Sequence, residues 1–312
     1  MLKSFYLAAA SSQQSSILKN PIPILGTLNN KTKEVLVGTP DDDTIYPGGG
    51  WDVVEGGDGF DTVVIVARST QFKLVFDSGI TYIDALSGAS SSTERAQLNN
   101  VEQIQFLDKT VSLVVNDTLK GQPGTDFFDG GLGLDTVVYS GPIERYTIHK
   151  SGNRYVVNEP TGSDDTDNLT NIERLQFSNG KLALDVENGN AGTAAKLIGT
   201  LLGKAALQNK ELTGLVIGLL DQKYSPETIV NLGLSTPSFL SLAGSGSHED
   251  FVKLVYQNVV GQPPSKEAIA PFVNQLNQGA TQASLALMAA DTSLLATQID
   301  LVGLVLHGLP YL

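Results

Sequence analysis

The chain predicts an α+β multidomain protein: two short parallel β-roll modules with added β-strands, followed by an all-α helical domain. Three observations carry this. Glycine-rich nonapeptides run in frame from Gly38 to Val64. Their aspartates return 74 residues later as Asp117, Asp126 and Asp135. Beyond Gly189 the apolar spacing becomes three or four, the helical period. The chain accordingly divides into a lead-in (1–34), a first module (35–115), a second module (116–187) and a helical domain (188–312).

Composition narrows the function. The 312 residues hold 20 basic and 33 acidic side chains, a net charge of −13. That balance argues against nucleic acid as a partner, whose binders need basic patches, and against anionic membrane surfaces. The chain has no cysteine, so disulfides and thiolate metal sites are excluded. The opening Met1–Ala10 run has one lysine and ends at Ser11-Ser12-Gln13-Gln14. It is too short and too weakly apolar for a secretory signal or a membrane span, so membrane insertion is not expected. The lead-in otherwise reads as polar, with no assigned role.

In each nonapeptide of the first module the sixth residue is aspartate (Asp43, Asp52, Asp61) and the eighth is aliphatic (Ile45, Val54, Val63). Glycines dominate the first four places, where they let the backbone turn tightly and crowd carbonyl oxygens toward one point. The short tail is a strand whose aliphatic residue faces inward. Turn plus strand takes nine residues, so one full coil takes two repeats and stacks Asp43 over Asp61. Two stacked carboxylates repel one another unless a cation lies between them. An all-oxygen set of carboxylates and turn carbonyls suits Ca²⁺, a hard ion with six to eight ligands, better than Mg²⁺.

The candidate donors of this pair are Asp43 and Asp61 with the turn residues Gly38, Pro40, Asp41, Gly56, Asp58 and Gly59. In the second module they are Asp117 and Asp135 with Gly130 and Gly133. The early turn there, Ser112-Leu113-Val114-Val115, lacks glycine, which weakens that pair. Asp52 and Asp126 face the opposite side of their rolls. Their partners eighteen residues away would be Glu34 or Thr70, and Asp108 or Glu144. None of these sits in a good nonapeptide, so both are expected to be half-sites. Glycine and aspartate also make plain turns, but turn chemistry alone has no reason to repeat in frame three times and then duplicate.

These nonapeptides resemble the RTX, or hemolysin-type, calcium-binding repeat. The resemblance implies calcium as cofactor, a β-roll fold, and export through type I secretion machinery by an uncleaved C-terminal signal. It therefore implies an extracellular or cell-surface location.

Strands follow each roll. Phe72–Phe76 and Ile80–Ile83 alternate apolar and polar residues, and a Ser/Gly loop (Ser87–Thr93) precedes Leu98-Asn99-Asn100-Val101-Glu102-Gln103-Ile104-Gln105-Phe106. That last segment is echoed by Leu169-Thr170-Asn171-Ile172-Glu173-Arg174-Leu175-Gln176-Phe177. Each roll is expected to span about one and a half coils, near the minimum for stacked repeats, with the strands capping its edges.

From Ala191 on, Leu197, Ile198, Leu201 and Leu202 form one helical stripe; Leu212, Leu215, Val216, Leu219 and Leu220 form another. Ser225-Pro226, Thr236-Pro237 and Ser247-His248 are helix starts. Phe251, Leu254, Val255 and Val259 line a further helix ended by Gly261, and Pro271 should kink or interrupt the next one. Phe251–Pro263, Val273–Gly279 and Ile299–Val305 resemble a small helical domain of unknown function found beside RTX repeats and in bacterial S-layer proteins. The resemblance covers about residues 190–312. It implies a second role, a structural or adhesive surface component that binds cell-surface polysaccharide or its own copies.

No catalytic constellation is present in the sequence. His149, His248 and His307 belong to no His-Glu-x-x-His helix, and neither a Gly-x-Ser-x-Gly elbow nor a phosphate-binding loop occurs. His149 should face solvent from an alternating strand. The expectation is therefore a secreted calcium-binding protein that is not an enzyme.

Overall fold

The structure is a computed structural model that describes residues 23–27, 33–77, 80–87, 93–121, 123–160 and 166–312. Most of the lead-in and the centre of the Ser87–Thr93 loop lie outside the described residues. The chain separates into two compact units. One holds the described residues up to Asp117 with Asp129–Asp135; the other holds Thr118–Phe128 with Thr136–Leu312.

In the first unit the chain alternates between two five-stranded sheets. β1 (Ile24–Leu25), β3 (Thr44–Tyr46), β5 (Thr62–Val64), β9 (Gln103–Gln105) and β10 (Thr110–Ser112) form one, in that order. The other has the order β2 (Val35–Val37), β4 (Gly50–Glu55), β8 (Thr93–Asn99), β7 (Ile80–Ala85), β6 (Phe72–Asp77). Rungs of the roll are parallel: Ile45 pairs with Ile24 and Val63, Val63 with Ile104, and Val54 with Leu36 and Leu98. The eighth-place residues Ile45, Val54 and Val63 and their counterpart Ile104 are fully buried. Burial of each such side chain stabilises the coil by about 1.5–3 kcal/mol.

The roll is longer than the expected one and a half coils. β1 and β2 add a coil before the glycine-rich repeats, and β8 and β9 add one after the β6–β7 hairpin. The end of the lead-in thus has a structural place, since Ile24 and Leu25 pair with Ile45 and Tyr46.

In the second unit β11 (Thr118–Lys120), β13 (Thr136–Val138) and β17 (Arg174–Phe177) are parallel neighbours. β18 (Gly180–Ala183) continues that sheet, while β12 (Phe127–Asp129), β16 (Thr166–Thr170), β15 (Arg154–Asn158) and β14 (Thr147–Ser151) form the other. The helices are α1 (Asn190–Leu202), α2 (Lys210–Asp221), α3 (Pro226–Leu234), α4 (Pro237–Ala243) and α5 (His248–Val260), then α6 (Lys266–Asn277), α7 (Gln282–Ala290), α8 (Ser293–Gln298) and α9 (Leu301–His307). Ser225, Thr236 and Ser247 cap α3, α4 and α5 by accepting from the N–H three residues on. Gly261 closes α5 in the left-handed conformation. α6 runs unbroken through Pro271, contrary to the expected interruption; the ring lies on the exposed face of the helix.

The helices do not stand apart from the strands of their unit. The closing strand β19 (Leu309–Tyr311) pairs antiparallel with β18. Arg174, 3% exposed, donates to Asp185 and, at 2.9 and 3.1 Å, to both carboxylate oxygens of Asp221 on α2. His149 is exposed, as expected; His307 contacts the Ile148 carbonyl through Nδ1 at 3.0 Å. Among the described residues no helix is long and apolar enough to cross a membrane.

Candidate metal centre

The two glycine-rich turns of the first roll stack residue on residue. A side chain on Gly56 would meet the Asn100 carbonyl oxygen at 1.8 Å, and one on Gly38 would meet the Gly56 carbonyl oxygen at 1.6 Å. Gly59, at φ +107°, lies over Asp41, so turns 38–43 and 56–61 nest in register. That nesting fixes the sixth-place carboxylates. Oδ1 of Asp61 accepts the Asp43 N–H at 2.8 Å, and Oδ2 of Asp43 accepts the Thr39 N–H at 2.6 Å and its hydroxyl at 3.0 Å. Asp43 and Asp61 are 4% and 0% exposed.

The same ladder recurs at every coil. Asp52 accepts from Glu34 N–H at 3.0 Å, Asp135 from Asp117 N–H at 2.6 Å, and Asp167 from Asp126 N–H at 2.9 Å. Glu102 closes it in the first unit by accepting the Asp61 N–H at 2.7 Å. Fifth-place residues repeat the motif: Asp42 accepts from Phe60 N–H and Asn116 from Leu134 N–H.

The ladder selects Glu34 over Thr70 as the partner of Asp52 and corrects the expected partner of Asp126. Asp52 meets Glu34, which the sequence reading set outside any good nonapeptide. Counting back nine residues from Asp43 and Ile45 puts Glu34 in sixth place and Leu36 in eighth. Asp126 meets Asp167, not Asp108 or Glu144; those two bond Ser69 and Asn179 instead. Glu102 was missed as a sixth-place residue because its corner is short. Leu98 and Ile104, six apart, occupy the rungs held by Val54 and Val63, nine apart, and Asn100 turns the corner at φ +48°. The spacing of two between acid and inward aliphatic was the available signal.

Charge is poorly accommodated here without a cation. Oδ2 of Asp61 and Oδ2 of Asp52 are buried and have no hydrogen-bond partner. Burial, then the charges of Glu102, Asp43 and Asp42, push the Asp61 carboxyl up to about 6, against the relief from the Asp43 N–H. Burial also raises Asp52, Asp135 and Glu102. Among the described residues no Lys or Arg pairs with Asp43, Asp52 or Asp61. The remaining expected donors lie around this pair: Gly38 and Gly56 in the stacked turns, and Pro40, Asp41, Asp58 and Gly59 exposed at the tip. In the other set, Gly133 packs on the Val115 carbonyl despite the glycine-free turn opposite it, Gly130 is half-buried, and Asp117 is half-buried beside the buried Asp135.

Among the described residues no three His, Asp or Glu side chains form a ready metal cluster. A cation between Asp43 and Asp61 would therefore complete its shell from turn carbonyls. The donors are all oxygen, as a hard ion requires, so the residues present fit calcium.

Comparisons with known proteins agree with this geometry. No curated protein matches the chain. Among solved structures, the extracellular lipase LipA from Serratia marcescens aligns at 12% identity with a TM-score of 0.18. The alignment covers 52% of this chain and only 39% of the lipase, too slight a likeness to carry any argument. Neither matched family description names a catalytic activity. The family model of the RTX calcium-binding nonapeptide repeat matches residues 31–63 and 116–137, in four copies, and that of a domain of unknown function, DUF4214, matches residues 233–293.

Proposed function

We propose that the protein is a non-enzymatic, secreted calcium-binding protein whose rolls fill and order outside the cell, after export by a type I secretion route. The observation that carries this is the buried, unpartnered Oδ2 of Asp61 among Asp43, Asp42 and Glu102. Asp43 and Asp61 would hold one ion, with carbonyls from the turns of Gly38, Pro40, Asp41, Gly56, Asp58 and Gly59. Asp117 and Asp135, with Gly130 and Gly133, would hold another; Asp52 with Glu34, and Asp126 with Asp167, are the opposite-side positions. Calcium supplies positive charge that cancels the repulsion and ties adjacent coils together. Extracellular modules bind it at about 10⁻⁴–10⁻³ M, so the rolls would be empty at cytoplasmic calcium levels and filled outside. Residues 35–115 and 116–187 are then two copies of one calcium-dependent module, and 188–312 the helical part.

The test is circular dichroism and calorimetry of the full chain in calcium and in chelator, with metal counting. Calcium should raise β content and melting temperature, and the Asp43→Asn/Asp61→Asn double variant should lose most of that gain. Identical spectra and melting in both conditions would refute the reading.

A further inference from the structure

The outer face of the sheet containing β4, β7 and β8 carries chemistry that calcium binding does not use. Trp51 and Tyr82 point outward from β4 and β7, with Arg95 of β8 between them. Its guanidinium lies 5.8 Å from the Trp51 ring centre and 4.6 Å from that of Tyr82. Lys33 places its ammonium 4.7 Å from the Trp51 ring centre, and Trp51 stays 41% exposed. These are cation–π contacts, which orient a cation without neutralising it. Asp84 pairs with the Arg95 Nε at 3.0 Å. Among the described residues Lys33 has no carboxylate partner. Gln97, paired across the sheet with Tyr82, adds an amide to the same face.

In a chain of net charge −13 this is a local excess of positive charge, Lys33 and Arg95 against Asp84, beside the rings of Trp51 and Tyr82. A guanidinium fork matches a carboxylate in two parallel bonds, and the exposed Trp51 offers apolar area to a ring's flat side. The backbone of β4 and β8 is already paired on both sides, so a peptide cannot add here as a strand. We infer that this face, built from Lys33, Trp51, Tyr82, Asp84, Arg95 and Gln97, is a binding site for a carboxylated polysaccharide. The inference is independent of the calcium reading.

Trp51 is the only tryptophan, so its fluorescence reports this face alone. The calcium-saturated full chain is titrated with hyaluronan oligosaccharides, with neutral maltohexaose and with poly-glutamate. Hyaluronan should give a saturable change and the other two none. Arg95→Ala and Lys33→Ala should each weaken binding by about tenfold, as expected for loss of a charge-assisted contact. Trp51→Ala should abolish retardation in affinity electrophoresis, while all three variants keep the calcium-dependent rise in melting temperature. No response to hyaluronan, an equal response to poly-glutamate or maltohexaose, or unchanged affinity in Arg95→Ala would overturn the assignment. Calcium-dependent melting of the same samples tests the calcium reading separately.

Discussion

Replacing Asp61 by Asn should change stability with opposite signs in chelator and in calcium. Asn is nearly isosteric, and its side-chain oxygen can still accept the Asp43 N–H that Asp61 now accepts at 2.8 Å. What is lost is a buried negative charge whose second oxygen has no partner and which faces Glu102, Asp43 and Asp42. An unsatisfied buried polar group costs about 1–3 kcal/mol, so in chelator at neutral pH the variant should melt several degrees above the wild type. With about 10 mM calcium and a dissociation constant of about 10⁻⁴–10⁻³ M, one site stabilises the wild type by about 1.4–2.7 kcal/mol. At roughly 3–5 °C per kcal/mol this is a rise of about 4–13 °C, most of which the variant should lack. Differential scanning calorimetry of both proteins in both conditions decides it. A variant less stable than wild type in chelator, with an undiminished calcium response, would show that Asp61 is an ordinary structural carboxylate.

The same group sets a pH dependence. Its folded value of about 6 lies above the ordinary 3.8, so the folded, metal-free chain binds more protons than the unfolded chain between these limits. In chelator, stability should therefore rise as pH falls from 7 through 6 toward 4, and Asp61→Asn should flatten that slope in a melting-temperature series. In calcium the protons compete with the ion, so the calcium-induced gain should shrink below pH 6. Gly56→Ala puts a methyl group 1.8 Å from the Asn100 carbonyl oxygen and 2.4 Å from Asp61 Oδ2. It should cost about 1–3 kcal/mol or more and remove the calcium response, as read by melting and metal counting. Arg174→Ala strands Asp185 and Asp221 and should cost about 3–5 kcal/mol in urea unfolding, with the calcium response of the first roll retained.

Much of the roll was legible because its physics is local and periodic. Glycine at fixed places permits the turns, and an acid two residues before an inward aliphatic marks each rung. Asp43, Asp52 and Asp61 could thus be placed by counting. Where the glycines are gone the count is harder to see, although the rung survives. Glu34 with Leu36, and Glu102 with Ile104, keep the acid–aliphatic spacing on strands that pair in register with the repeats. Asp167 keeps that spacing too, with Leu169 buried two residues on, but its strand reaches Asp126 only after the β14–β15 hairpin, so no count of nine leads to it. The helix caps at Ser225, Thr236 and Ser247 were readable for the same local reason. The interruption expected at Pro271 does not occur, because a proline on an exposed helical face is tolerated when neighbouring turns hold the helix.

By itself the sequence determined the coil period, the duplication, the all-oxygen donor set and the switch to helix, since each depends on residues within one or two repeats. Only the tertiary structure decided how the ladder ends, that Arg174 and β19 bind the helices to the second set of strands, and that Lys33, Trp51, Tyr82 and Arg95 share one face. Those contacts join residues tens of positions apart through pairings that no local pattern encodes, and their free energy appears only when the whole sheet has formed.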